Sequence, residues 1–163
     1  MKEIKGKVFL FGDDINTDDI VPHQYLNLRD DNEITKHTLE NIRPNFAESV
    51  REGDVIVAGK NFGSGSSREE AVNVLKTLGI KAVIAESFAR IYFRNLVNLG
   101  ILAIKLKKAK EQFSEGDNII ITLDKGEIIN QTKDIRIPIE KIPDFLLKIL
   151  ESGGILNKIK KNK

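Results

Sequence analysis

With 163 residues, 40% of them hydrophobic, the chain can bury one core and not comfortably two, so a single domain over residues 1–163 is expected. A net charge of +2 from 26 basic and 24 acidic residues leaves the two signs interspersed, which is no electrostatic footprint for nucleic acid. The absence of cysteine excludes disulfides and any thiolate-held zinc or iron–sulfur site within the chain; with no spanning apolar stretch and no leader-like N-terminus, a cytoplasmic protein away from membranes is expected.

In chain order, Lys7-Val8-Phe9-Leu10-Phe11 is an apolar run stopped by Gly12-Asp13-Asp14, which reads as a buried strand and a turn. Asn16-Thr17-Asp18-Asp19 offers capping side chains before Ile20-Val21-Pro22. Residues 25–32 read as an exposed polar loop and residues 35–41 as a short helix, with Arg43-Pro44 marking the next turn. Residues 54–59 form a second strand that runs through Asn61-Phe62 into a glycine–serine turn. The spacing of Ala71, Val72, Val74, Leu75 and Leu78 predicts a helix over 69–78 closed by Gly79, and residues 81–85 a strand parallel to the previous one.

Strand, turn, helix and strand make a βαβ unit, whose right-handed crossover places the glycine–serine turn at the carboxyl edge of the sheet. A second unit follows: a loop over 86–90, a helix through Asn98 to Gly100, and a strand over 101–106, with its opening loop beside the first. Residues 118–123 and 127–130 form a hairpin about Asp124-Lys125-Gly126, residues 135–138 a further strand, and residues 143–150 a final helix with Pro143 in its first turn. Gly153-Gly154-Ile155-Leu156 closes the fold, and the basic run from residue 158 to residue 163 reads as a solvated end. An α/β fold with a parallel βαβ core is expected.

The turn Gly63-Ser64-Gly65-Ser66-Ser67-Arg68-Glu69-Glu70 concentrates the chemistry. Gly63 and Gly65 permit positive φ and close approach to the backbone, the helix start leaves N–H groups free, and Arg68 adds a fork of donors suited to a carboxylate. Ser66 or Ser67 is placed to cap the helix, and Ser67 with Glu70 can equally form an ordinary capping box that needs no ligand. Neither a P-loop nor a dinucleotide fingerprint fits, because Ser66-Ser67-Arg68 stands where Lys-Ser/Thr is needed and Glu69-Glu70 would face a pyrophosphate.

Four segments carry a wider resemblance: Gly12-Asp13-Asp14-Ile15-Asn16-Thr17-Asp18-Asp19-Ile20-Val21-Pro22, Gly63-Ser64-Gly65-Ser66-Ser67-Arg68-Glu69, Ser87-Phe88-Ala89-Arg90-Ile91 and Asn95-Leu96-Val97-Asn98-Leu99-Gly100. In order and spacing, together with Ser152-Gly153-Gly154-Ile155-Leu156, the chain resembles the small subunits of 3-isopropylmalate dehydratase, free-standing versions of the aconitase superfamily's swivelling domain. The resemblance implies a three-layer β/β/α swivelling fold and a heterodimeric or heterotetrameric assembly with a large subunit that carries a [4Fe-4S] cluster. It also implies reversible dehydration of a small 2-hydroxy acid in leucine biosynthesis, with the leaving hydroxyl taken by the partner's iron.

By the same resemblance, Ser66 is the catalytic base that removes the carbon-bound proton, and Ser67 and Arg68 contact a substrate carboxylate. Gly63, Gly65 and Arg90 support the site, Arg90 by bracing it or by pairing with Glu86, while Asp18 and Asp19 take structural jobs. A serine alkoxide is a competent base only where N–H groups and a cation hold it, which the turn and Arg68 supply. His23 and His37 read as bystanders.

Tyr25, Leu26, Asn27, Leu28 and Arg29 match the family's specificity segment, where homoaconitase-type subunits carry Tyr-Leu-Arg-Thr. A neutral Asn27 and apolar Leu28 suit an alkyl branch better than a third carboxylate, which would be left unpaired. Arg29 could restore a charge partner, so homocitrate and citramalate stay open as substrates beside isopropylmalate. A non-catalytic anion-binding module on the same fold is the alternative of a different class.

Overall fold

The computed structural model describes residues 3–155 and residue 159. The elements are β1 (Glu3–Leu10), α1 (Thr17–Ile20), a short 3-10 turn (His23–Tyr25), α2 (Asp31–Thr35), α3 (Phe46–Ser49), β2 (Val55–Ala58) and α4 (Glu70–Leu78). They continue as β3 (Ala82–Ala85), α5 (Arg90–Asn98), β4 (Leu102–Lys105), α6 (Ala109–Gln112), β5 (Asn118–Thr122), β6 (Glu127–Asn130), β7 (Ile135–Pro138) and α7 (Asp144–Ser152).

The strands form one sheet in the order β4-β3-β2-β1-β5-β6-β7. Strands β1 to β4 are parallel neighbours, and both expected crossovers, β2-α4-β3 and β3-α5-β4, are present. The pivot is β1. Its later residues pair with β2 in parallel, Val8 opposite Val55, while its earlier ones run antiparallel to β5, Ile4 opposite Ile121.

Alternation along the strands separates two cores. Phe9, Ile56, Ala58, Val83 and Ala85 pack with Val72 and Leu75 of α4 and Leu96 of α5. Val8, Val55, Val57, Ala82 and Ile84 project the other way and pack with Ile119, Ile121, Ile128 and Ile137 of the antiparallel strands. Helices, parallel strands and an antiparallel wing are thus stacked in three layers, the expected β/β/α arrangement. Because the middle layer is covered on both faces, β2 and β3 are buried at every position, which explains their unbroken apolar runs.

Several boundaries differ from expectation. Strand β1 begins at Glu3 rather than Lys7, since Glu3 and Lys5 point to solvent while only Ile4 between them is buried. The helix expected over 35–41 is absent. Asp30 instead caps α2 through the Asn32 N–H, and the chain then leaves helical geometry at Leu39, whose φ is 56° and whose N–H donates to the Ile20 carbonyl. The residue-25 segment is also less irregular than expected, with the 3-10 turn entering it and α2 starting within it. The one-turn helices α3 and α6 have no counterpart in the sequence reading.

Helix α7 runs on to Ser152 and is stopped by Gly153 at φ 85°. Leu156 of the closing segment, and the basic end apart from Ile159, lie outside the described residues. Among the described residues no helix is long and apolar enough to cross a membrane.

Candidate active site

Three loops leave the carboxyl ends of β1, β2 and β3 and meet. Asn16 bridges to Ser64 and Phe62 to Phe88 as isolated parallel pairs. The Gly63 N–H donates to Ile15 O at 2.7 Å, the Thr17 N–H to Ser64 O at 2.8 Å, and the Ala89 N–H to Phe62 O at 2.9 Å. The glycine–serine turn is thereby clamped between its two neighbours, at the sheet edge that the crossover rule predicts and beside the opening loop of α5.

Gly63 and Gly65 adopt φ of 84° and 92°, as the turn requires. Gly63 also has no room for a side chain, because the ring of Tyr92 lies against it. That ring packs edge-on to Phe62 at 5.6 Å, and its hydroxyl donates to Ala71 O at 2.8 Å, tying α5 to the first turn of α4. Complete burial pushes the Tyr92 phenol far above its usual range, so it acts as a neutral donor.

Neither serine caps α4. The N-cap position is Glu69, already helical at φ −63°, and no side chain bonds to the exposed amides. Ser66 and Ser67 lie upstream of that position, beyond reach of the second and third helical N–H groups, so the capping reading fails. Both serines are exposed instead. Among the described residues, the N–H groups of Gly65, Ser66, Ser67 and Arg68 donate to no backbone carbonyl, leaving a run of free donors of the kind that holds anions.

The Arg68 side chain is 19% exposed, and its Nη1 is buried without a hydrogen-bond partner. Its nearest carboxylate oxygen, Asp18 Oδ1, is 3.7 Å away, too far for a hydrogen bond. A buried guanidinium donor left over in this way calls for an explanation, and an anionic ligand supplies one. Asp18 also accepts the His23 N–H at 3.0 Å, while Asp19 closes a capping box with Asn16.

Beside the turn a cleft of ≈ 350 Å³ is lined by Thr17, Gly63, Gly65, Ser67, Arg90 and Asn95, with Tyr92 and its neighbours as one wall. A more apolar cleft between β4, α5 and α7 presents Phe93, Ile104, Ile142 and Leu146, with no hydroxyl or guanidinium in its lining. The cleft beside the glycine–serine turn carries the hydroxyl and guanidinium groups that the apolar cleft lacks.

Arg90 is exposed at the start of α5, and it forms no ion pair with Glu86 among the described residues. The specificity segment is not in the cleft lining. Tyr25 stacks on His37 at 3.6 Å, and His37 Nδ1 lies 2.7 Å from Glu40 Oε2. Hydrogen bonds from Tyr25 and then His37 hold the Glu40 carboxyl below its usual range, and the same contact raises the Tyr25 phenol. Leu26 packs on the helix-side core, whereas Asn27, Leu28 and Arg29 are exposed.

The cleft thus brings Gly63, Gly65, Ser67 and Arg90 together, while Ser66 and Arg68 belong to the same turn but stand outside its lining, as do residues 25–29. Sequence reasoning missed Tyr92 and the contacts of Thr17. A buried tyrosine reads as core, and a Thr between Asn and Asp reads as part of a cap.

Comparison with known proteins identifies the family and the fold. The family model of the aconitase C-terminal domain matches residues 13–109. A 3-isopropylmalate dehydratase small subunit from Halothermothrix orenii is 44% identical over 97% of this chain and 96% of its own length. The chain belongs to the 3-isopropylmalate dehydratase small-subunit family. Another member, small subunit 1 from Archaeoglobus fulgidus, is 48% identical over 93% of each chain. The crystal structure of 3-isopropylmalate dehydratase from Methanocaldococcus jannaschii superposes with a TM-score of 0.90 at 46% identity, covering 98% of this chain and 95% of that one. The family's swivelling-domain fold is the three-layer arrangement seen here.

Proposed function

We propose that this chain, one domain over its whole length, works as the small subunit of a hydro-lyase that interconverts 2-isopropylmalate and 3-isopropylmalate in leucine biosynthesis, in the cytoplasm. The observation that carries the reading is the buried Nη1 of Arg68, which makes no hydrogen bond and only a long ion pair to Asp18, beside two exposed serines and a run of free amides. That set fits a dicarboxylic 2-hydroxy acid. The names of relatives at 44% and 48% identity support isopropylmalate and do not favour homocitrate.

In this reading Ser66, as alkoxide, takes the carbon-bound proton: its oxygen gains the proton, the C–H electron pair becomes the carbon–carbon double bond, and the hydroxyl leaves the neighbouring carbon with the C–O pair on the side that the partner would close. The free N–H groups and Arg68 lower the cost of that alkoxide. Ser67 and Arg68 hold the carboxylate, Gly63 and Gly65 shape the turn, and Arg90 borders the cleft. Residues 25–29 would reach the variable substituent only when a partner closes the site, with Asn27 and Leu28 facing an alkyl branch. Citramalate, which carries a shorter branch, is a second substrate compatible with that surface.

A small subunit implies a large one, and the active site would lie between them. The [4Fe-4S] cluster implied by the family does not fit this chain, because its usual ligands are thiolates and there is no cysteine; it belongs to the partner. The test is anaerobic assembly with the large subunit from the same organism and turnover of 3-isopropylmalate, citramalate and homocitrate side by side. Preference for the alkyl malates supports the reading. Preference for homocitrate overturns the specificity assignment, and binding of these acids without turnover by the assembled enzyme would favour a non-catalytic anion-binding module.

A further inference from the structure

Thr17 is 2% exposed and commits both of its donors to the glycine–serine turn. Its N–H donates to Ser64 O at 2.8 Å, and its hydroxyl to Ser66 O at 2.8 Å. Both carbonyls therefore point toward α1. In a planar trans peptide the C=O and the following N–H point in opposite directions, so these two bonds turn the Gly65 and Ser67 N–H groups away from α1, toward the exposed side of the turn. Those are two of the free donors described above.

Thr17 is itself well fixed. It follows the Asn16 N-cap, whose Oδ1 accepts the Asp19 N–H at 2.8 Å while the Asp19 carboxylate accepts the Asn16 N–H at 2.9 Å. Its β-branched side chain has few rotamers, and a Cβ built at Gly65 would already lie 3.4 Å from Thr17 Oγ1. The hydroxyl donates to the carbonyl of Ser66.

We propose that Thr17 is a positioning residue for the dehydration: it fixes the Ser66–Ser67 peptide so that the Ser66 hydroxyl and the Ser67 amide face the reacting acid together. The proposal rests on the reading of Ser66 as base. It assigns to the Thr17 hydroxyl a role in kcat more than in KM, since Arg68, which Thr17 does not touch, shares the holding of the substrate's carboxylate with Ser67.

The test compares Thr17→Ser, Thr17→Ala and Thr17→Val in the assembled two-subunit enzyme with 3-isopropylmalate, measuring kcat, KM and thermal midpoint. Ser and Ala differ only in the hydroxyl, so this pair decides the matter even if the Val variant does not fold. Thr17→Ala is expected to lower kcat about 10- to 100-fold with KM changed by less than about threefold, and Thr17→Ser to restore kcat to within about threefold of native. Equal kcat in the Ser and Ala variants overturns the proposal, because activity would then follow the lost methyl and its packing. Ser66→Ala is run in parallel: retained turnover there overturns the base assignment and the positioning proposal with it, whereas lost turnover there together with equal kcat in Thr17→Ser and Thr17→Ala overturns the positioning proposal alone.

Discussion

The ring of Tyr92 occupies the space that a side chain at Gly63 would need: a Cβ there would lie 2.2 Å from Tyr92 Cγ. Tyr92 of helix α5 thus lies against the glycine–serine turn at a point that admits only glycine. Gly63→Ala combines that clash with a φ of 84°, and it is expected to cost about 2 to 3 kcal/mol in urea unfolding and to disable the assembled enzyme. Tyr92→Phe keeps the ring and loses only the bond to Ala71 O, so a loss of about 1 kcal/mol is expected.

Arg68 separates function from stability. Its Nη1 is buried without a hydrogen bond, and its ion pair with Asp18 is long and reaches a carboxylate side chain that is 62% exposed. Replacing it by Leu is expected to leave the thermal midpoint of the isolated chain unchanged or raised, while kcat/KM of the assembled enzyme falls about 100-fold or more. A variant that unfolds the chain would instead make Arg68 a structural residue.

Glu40 predicts a pH dependence confined to acid. Hydrogen bonds from Tyr25 and His37 lower its carboxyl below the unfolded value of 4.5. A lowered folded value contributes stability that is fully present above the unfolded value and is lost as pH falls through the folded one. Urea midpoints of native protein and Glu40→Gln, measured from about pH 3 to about pH 7, are expected to differ at the neutral end and to converge at the acid end. A constant difference across the range would show that the carboxylate's charge plays no part.

Asn27 and Leu28 are exposed, so their substitution tests specificity without a folding penalty. Asn27→Arg is expected to lower kcat/KM for 3-isopropylmalate about 10-fold and to raise the relative rate with homocitrate in the assembled enzyme. No change in the ratio would remove residues 25–29 from substrate recognition.

The layered fold was legible because β2, β3 and β4 are short apolar runs separated by helices with clear faces and glycine stops. What escaped was structure without periodicity. The start of β1 alternates Glu3, Ile4 and Lys5 and shows a single inward residue. Helices α3 and α6 are single turns whose N-cap residues, Asn45 and Lys108, have left-handed backbones. The attachment of β5 to β1 is a long-range pairing that no local pattern encodes.

At the site, the glycines and the free amides were legible from composition and spacing. The fate of Ser66 and Ser67 was not. A serine just before a helix reads as a cap, and only the helical φ of Glu69 shows that both hydroxyls are left over. Thr17 was hidden for the converse reason, since its partner is the carbonyl of Ser66, 49 positions away.

The decisive measurement is turnover of 3-isopropylmalate by the anaerobically assembled two-subunit enzyme carrying Ser66→Ala, with assembly checked by co-purification. Retained assembly with kcat reduced about 1,000-fold or more is expected if Ser66 takes the proton. Turnover within about threefold of native would contradict it and would move the base to another residue or to the partner.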